Sequence, residues 1–358
     1  MKRHDLDPLN FQLLKALDEF ARGHGSDISD VATHEGLIDS FRESIKTHVN
    51  HPARVHGFRV EAMFAHVVAA MNSVSLISEE DSGVLFDSAG NAKRPDFRII
   101  TKDGEQMFVE VKNFHQKQSP MKPYRVSKAY LQTLREYADL NRIPLKLAIY
   151  WSRWHVWTLV DVEKFSDGST ENIEISMGDA MMANEFYLLG DRMIGTTPPF
   201  SFRLYADPNR PRTVEANGEA PITVKKACLC CGGVDIDDKA EQKLAWYLMM
   251  NSKWEGFEQR AKIENDQIEF IEMNVFPSDP SNDELPFEWL GNISQMITSQ
   301  YLRATTTDDG TVARLSPKCQ PDYLGLKIPK DYQGQSLKLW IFTMLPKHVD
   351  PATAGIAT

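Results

Sequence analysis

Residues 94–113, RPDFRIITKDGEQMFVEVKN, set Asp96, Glu110 and Lys112 among alternating apolar residues. Two carboxylates and an amine on a strand-like pattern suit hydrolysis assisted by a divalent ion. Hard cations take oxygen ligands, and an ammonium stabilises charge building on an oxyanion. LysAspGlyGlu at 102–105 is a turn signal, so 95–112 should form a β-hairpin. A two-residue loop sets Phe97 opposite Glu110 and Ile99 opposite Phe108, whereas a three-residue loop sets Phe97 opposite Val109 and Ile99 opposite Met107. The second register is the expected one. It gathers Pro95, Phe97, Ile99, Met107, Val109 and Val111 on one apolar face and sets Asp96 against Glu110 on the other. Lys112 follows two residues along, and Gly104 takes the left-handed position.

Opposed carboxylates repel unless a cation lies between them, and Mg²⁺ suits an oxygen donor set of this size. The plain alternative is a solvated hairpin face carrying an ordinary Glu/Lys pair. Glu-x-Lys-like triplets do recur, at Asp237-Asp238-Lys239 and Glu241-Gln242-Lys243, but in a helical pattern with no strand-borne Asp before them. A second Pro-Asp, at 321–322, has no such triplet after it.

Around this hairpin, helical patterns run over 9–22 and 34–49. Another follows in RVEAMFAHVVAAMN, where Val60, Met63, Phe64, Val67 and Met71 share one face. Strand-like pieces occur at 74–77 and 83–86, a helix at 127–140, and strands at 145–151 and 155–160. Helix, strands, helix, strands is the order of an α/β layered domain with a mixed sheet. Pro, Gly, Asn and Asp crowd 195–221, which reads as a connector. The expected division is a helical extension over 1–56, a catalytic domain over 57–200, a linker over 201–221 and an α+β domain over 222–358. The last should hold a helix near 238–251, a strand near 268–276, a helix over 287–303, and strands at LGLKIP and SLKLWIFTML.

Pro95-Asp96, then Glu110-Val111-Lys112 on the next strand, preceded by a helix bearing Glu61 and followed by the 127–140 helix, resembles the PD-(D/E)XK nuclease superfamily. The resemblance covers about residues 57–160. It implies an α/β fold, a restriction-endonuclease-like mixed sheet flanked by helices, with the C-terminal α+β domain appended. It also implies a phosphodiesterase using Mg²⁺, or Mn²⁺ in its place, and a DNA endonuclease of the kind found in restriction and antiphage defence. The metal set would be Asp96, Glu110, Val111 and Glu61, with Lys112 orienting the attacking water. By helical geometry Glu61 sits at the rim of the apolar stripe, where it could reach over the sheet edge. Glu80 and Asp81 are rival acids that read as a polar turn. Exonuclease-like members carry a Gln and a Tyr on the helix after the Lys. Gln132 and Tyr137 stand one residue further apart than that pattern, leaving Gln132 as a substrate contact and Tyr137 as packing.

A net charge of −10 argues against a chain that coats nucleic acid through bulk charge, so any contact must be local. From Val111 to Arg135 no Asp or Glu occurs, and Lys117, Lys122, Arg125 and Lys128 are the phosphate-contact candidates there. The four cysteines, three of them in ACLCCGG, read as buried thiols; Cys228, Cys230, Cys231 and Cys319 lack the spacing of a structural zinc site. His115 reads as a loop residue, and Trp151, Trp154 and Trp157 as packing. With no long apolar run and a polar start, the expectation is a cytoplasmic protein without a membrane span. The expected partner is DNA, with a homo-oligomer or a gating protein as a further possibility. A catalytically silent binding or scaffold protein, or an RNA-processing nuclease, would be the alternative on the same fold.

Overall fold

The computed structural model describes residues 1–4, 13–49, 51–80, 85–88, 90–116, 122–281, 285–329 and 331–347. Helices α1 (Leu13–His24) and α2 (Val31–Val49) pack on each other ahead of α3 (Pro52–Met71). Pro opens α3, where a missing N–H is harmless, and Asn72 closes it in the left-handed region at φ +56°. Between those ends Val60, Met63, Phe64, Val67 and Val68 are buried against a sheet.

That sheet combines β1 (Val74–Glu79), β2 (Phe97–Thr101), β3 (Gln106–Phe114), β5 (Leu145–Trp151) and β6 (Val156–Asp161), in the order β1-β2-β3-β5-β6. Only β3 and β5 run parallel. Parallel neighbours need a crossover, and β4 (Tyr124–Ser127) with α4 (Lys128–Asn141) supplies it. Ser127 caps α4 by accepting from the Tyr130 N–H. The sheet therefore has a helix on each face. Phe97, Ile99, Met107, Val109 and Val111 face α3. Phe108, Leu147, Ile149 and Trp151 face α4 through Leu131, Leu134 and Ala138.

The hairpin adopts the three-residue-loop register, with Phe97 opposite Val109 and Ile99 opposite Met107. Gly104 sits at φ +89°, as a loop of that length requires.

Downstream, β8 (Asn172–Ile175) pairs with β4 and with β7 (Ser166–Asp167), and α5 (Met177–Met182) follows. Strand β9 (Met193–Thr196) is flanked by β15 (Glu288–Asn292) and β16 (Leu339–Phe342). Strand β10 (Phe200–Ala206) is the centre of a second five-stranded sheet with β11 (Val224–Cys231), β12 (Val234–Asp235), β13 (Gly256–Glu264) and β14 (Gln267–Phe276). Helices α6 (Lys239–Asn251) and α7 (Ile293–Thr305) complete the chain's α/β architecture. Among the described residues no helix is long and apolar enough to cross a membrane.

The connector expected over 201–221 thus begins too early, because 201–206 is the middle of a sheet. Its alternation, Phe200-Ser201-Phe202-Arg203-Leu204-Tyr205, is that of a strand with one apolar face, overshadowed by the turn-forming residues around it. The helix expected over 287–303 begins only at Ile293, since Glu288–Asn292 is strand and Gly291 stands at φ +121°. LGLKIP forms no strand, nor do residues 85 and 86; 83 and 84 lie outside the described residues. One continuous hydrophobic cluster runs from Val60 through Trp157, Phe200 and Ile297 to Leu337. At its middle the buried Trp157 indole donates to Thr298 Oγ1 at 3.0 Å.

Candidate active site

Asp96 sits at the foot of β2, and its Oδ2 accepts the Val111 N–H at 2.6 Å, which ties the carboxylate to the strand bearing Glu110 and Lys112. Glu110 points to the α4 side of the sheet and is 2% exposed. Lys112 Nζ donates to Glu110 Oε1 at 2.6 Å. The expected constellation of Asp96, Glu110 and Lys112 is therefore brought together on the hairpin's polar face, with Val111 contributing its backbone. Burial first, then the Glu110 carboxylate, push the Asp96 carboxyl up to about 7; Glu61 adds a smaller push, while the Val111 N–H and Lys112 pull the other way.

Sequence reasoning missed Tyr130. From the first turn of α4 its hydroxyl donates to Glu110 Oε1. Lys112 Nζ donates to that hydroxyl at 3.3 Å and Lys93 Nζ at 3.1 Å, with the Lys93 ammonium also 4.3 Å from the ring centroid. Burial, then Glu110, raise the Tyr130 phenol, so it remains a hydroxyl that can donate. No local pattern in the sequence marks it, because β4 separates α4 from the strand that bears Glu110 and Lys112. Tyr130→Phe should lower turnover about tenfold, the scale of one hydrogen bond to a charged group, with substrate affinity unchanged. Equal turnover in steady-state kinetics would remove Tyr130 from the site.

Carboxylate oxygens are the donor set a hard divalent ion takes. Glu110 Oε2 is buried with no hydrogen-bond partner among the described residues. The residues present fit such an ion. Glu61 is half-buried on α3 and near enough to act on Asp96, yet the three carboxylates do not close into one cluster. Among the described residues only Cys228, Cys230 and Asp235 bring ligand atoms within 4.8 Å of one another. If Asp96 is ionised beside Glu110 at a cost, Asp96→Asn should raise the melting temperature in EDTA at pH 8 by roughly 2–4 °C and abolish any rise on adding Mg²⁺. An unchanged or lower melting temperature in a thermal scan would contradict that.

The other expected residues are dispersed. Lys117 and Asp81 lie outside the described residues. Lys122 is exposed. Arg125 pairs with Glu174 at 2.6 Å, and Lys128 with Asp167 at 2.6 Å. The neighbouring Arg135 pairs with Glu163 at 2.7 Å. A stretch without acids in sequence is thus neutralised in space. Gln132 is exposed and donates to Glu136 at 3.3 Å, away from Glu110. Tyr137 packs on Phe108 and donates to Glu80 at 3.0 Å. His115 meets Ser152 on the surface. Trp151 and Trp157 are core residues, and Trp154 is half-exposed on the intervening turn.

Cys228 and Cys230 lie on one face of β11, whereas Cys231 belongs to the core on the other; all four cysteines are free thiols. Asp235 beside the first two already accepts from Tyr205 at 2.9 Å, Lys226 at 3.0 Å and Arg203 at 3.2 Å. Two cations already engage the carboxylate that a metal ion would need.

No family model matches the chain, and no curated protein does. Among solved structures it is similar to Hjc, a Holliday junction resolvase from the hyperthermophilic archaeon Archaeoglobus fulgidus. Identity is 14% and the TM-score 0.27, over 36% of this chain and 96% of that one. A likeness that slight assigns no activity.

Proposed function

We propose that the chain is a metal-dependent nuclease hydrolysing phosphodiester bonds in DNA, with its site on the β2–β3 hairpin. The observation that carries this reading is the Asp96/Glu110/Lys112 set on a hairpin whose other face is core. Holding two carboxylates side by side with Glu110 2% exposed opposes folding, and packing alone has no use for it. An Mg²⁺ or Mn²⁺ ion held by Asp96 and Glu110 would offset their charge, polarise the phosphate and make water more acidic. Glu61 acts from further out. Lys112 holds the attacking water in line and stabilises charge growing on the phosphoryl oxygens, prearranged for both by its bond to Glu110. Tyr130 fixes Glu110 Oε1, and Lys93 adds a second cation at the same hydroxyl. Lys122 reaches the phosphate backbone from an exposed position, and Arg125 and Lys128 do so by exchanging exposed ion pairs, each worth at most about 1 kcal/mol, for contacts to the substrate.

The test is incubation of the full chain with supercoiled plasmid, linear duplex and single-stranded DNA in Mg²⁺ or Mn²⁺, against EDTA. Metal-dependent cleavage is expected, with internal cuts relaxing the plasmid. Cleavage that EDTA leaves untouched would overturn the proposal.

A further inference from the structure

Helices α6 and α7 enclose a groove of about 620 Å³ lined by Lys239, Lys243, Trp246, Met250, Gln300 and Arg303 among others. The α6 residues recur at helical spacing on one face, while Leu244, Ala245 and Leu248 on the other join the core. Trp246 and Met250, 51% and 48% exposed, therefore belong to the groove and not to packing. No carboxylate is among its lining residues, in a chain of net charge −10. The contrast with the basic run after Lys112 is direct. Arg125, Lys128 and Arg135 are matched by acids, whereas among the described residues Lys239 and Lys243 have no ion-pair partner. Arg303 spends its guanidinium on Asn251 Oδ1 and the Met250 carbonyl, both neutral. Asp238, next to Lys239, is engaged as the helix cap on the Ala240 and Glu241 N–H groups, and Glu241, between the two lysines, is turned to the buried side.

We propose that this groove is a docking site for single-stranded nucleic acid, outside the hairpin site; the choice of ligand rests on the nuclease reading above. Lys239, Lys243 and Arg303 neutralise phosphates, and Trp246 offers a face on which a base stacks, with Met250 beside it. An unpaired strand presents both groups at once. A duplex hides its bases, and a groove between two helices is too narrow to receive it.

The measurement is fluorescence anisotropy of a short labelled single-stranded oligonucleotide with the full chain in EDTA, where cleavage is silent. The Lys239→Ala/Lys243→Ala double variant should lose about tenfold in affinity, and its slope of log K against log salt should flatten by about 1.4. Trp246→Ala should lose about fivefold or more, and more for single strand than for duplex. All these residues are at the surface, and matching melting temperatures confirm folding. Wild-type affinity and slope in the variants, or no binding by the wild type, would overturn the proposal. So would a labelled polyglutamate peptide that displaces the oligonucleotide with higher affinity, since the groove would then take an acidic protein segment. The two readings fail separately. Groove variants that bind normally in a chain that cuts DNA sink the groove alone; variants that lose binding in a chain that cuts nothing sink the nuclease alone.

Discussion

Lys112→Ala is expected to lower the rate of Mg²⁺-dependent plasmid cleavage by about 10²–10³-fold, the cost of removing a prearranged stabiliser of transition-state charge. The prediction follows from position as much as from residue type. Lys112 Nζ is 2.6 Å from Glu110 Oε1, and its side chain keeps 28% exposure, so the ammonium borders both the carboxylates and solvent. Its removal leaves Glu110 buried without its cation. The variant should therefore melt below the wild type in EDTA and recover in Mg²⁺, because an ion held by Asp96 and Glu110 replaces the lost charge. Lys112→Arg keeps the charge but spreads it over a larger planar group, so it should retain stability and still cleave poorly. That split separates a catalytic loss from a structural one. Cleavage by Lys112→Ala at the wild-type rate would remove Lys112 from the mechanism, and a melting curve indifferent to Mg²⁺ would remove the carboxylates.

The hairpin was legible because two independent constraints agreed on one register. Only the three-residue loop puts Phe97, Ile99, Met107, Val109 and Val111 on a single buried face, and the same loop needs a residue with positive φ where Gly104 stands. Helix α4 was legible by its periodicity and its stop before Pro144. Tyr130 was not, since its approach to Glu110 depends on how α4 crosses β3, a relation between elements that no local pattern records. Charge misled for the same reason. Arg125 and Lys128 look unopposed along the chain, but β7 and β8 fold back with Asp167 and Glu174. Strand β13, GFEQRAKIE, shows little apolar alternation because it is exposed almost throughout, an edge strand held by its ladder to β14 and not by burial. The groove lysines, without an acid partner among the described residues, stayed hidden because acids stand beside and between them in sequence. Glu241 is one of these, and its side chain turns to the opposite face of the helix.

Glu241→Ala is expected to destabilise the fold more than any of the hairpin or groove substitutions. As the N3 residue of α6, capped by Asp238, Glu241 stands where a carboxylate ordinarily reaches back to the cap. Instead its oxygens accept three backbone N–H groups from the far end of the chain: Gln335 at 2.7 Å, Ser336 at 3.1 Å and Leu337 at 3.0 Å. These bonds are charge-assisted, and Glu241 is 6% exposed. The segment they hold leads into β16, which pairs with β9 in front of the core, and Leu337 is fully buried within it. Alanine leaves three donors without an acceptor, at about 1–3 kcal/mol each and not fully additive, so a loss of about 3–4 kcal/mol is expected. For a chain of 358 residues that is a fall of roughly 4–6 °C in melting temperature. Glu241→Gln keeps one acceptor oxygen and should lose about half as much. In a thermal scan, alanine and glutamine variants within a degree of the wild type would mean that the carboxylate does not pin this segment. A fall in melting temperature without loss of cleavage at a lower temperature would show that Glu241, although Glu241-Gln242-Lys243 mimics Glu110-Val111-Lys112 in letters, is a structural carboxylate.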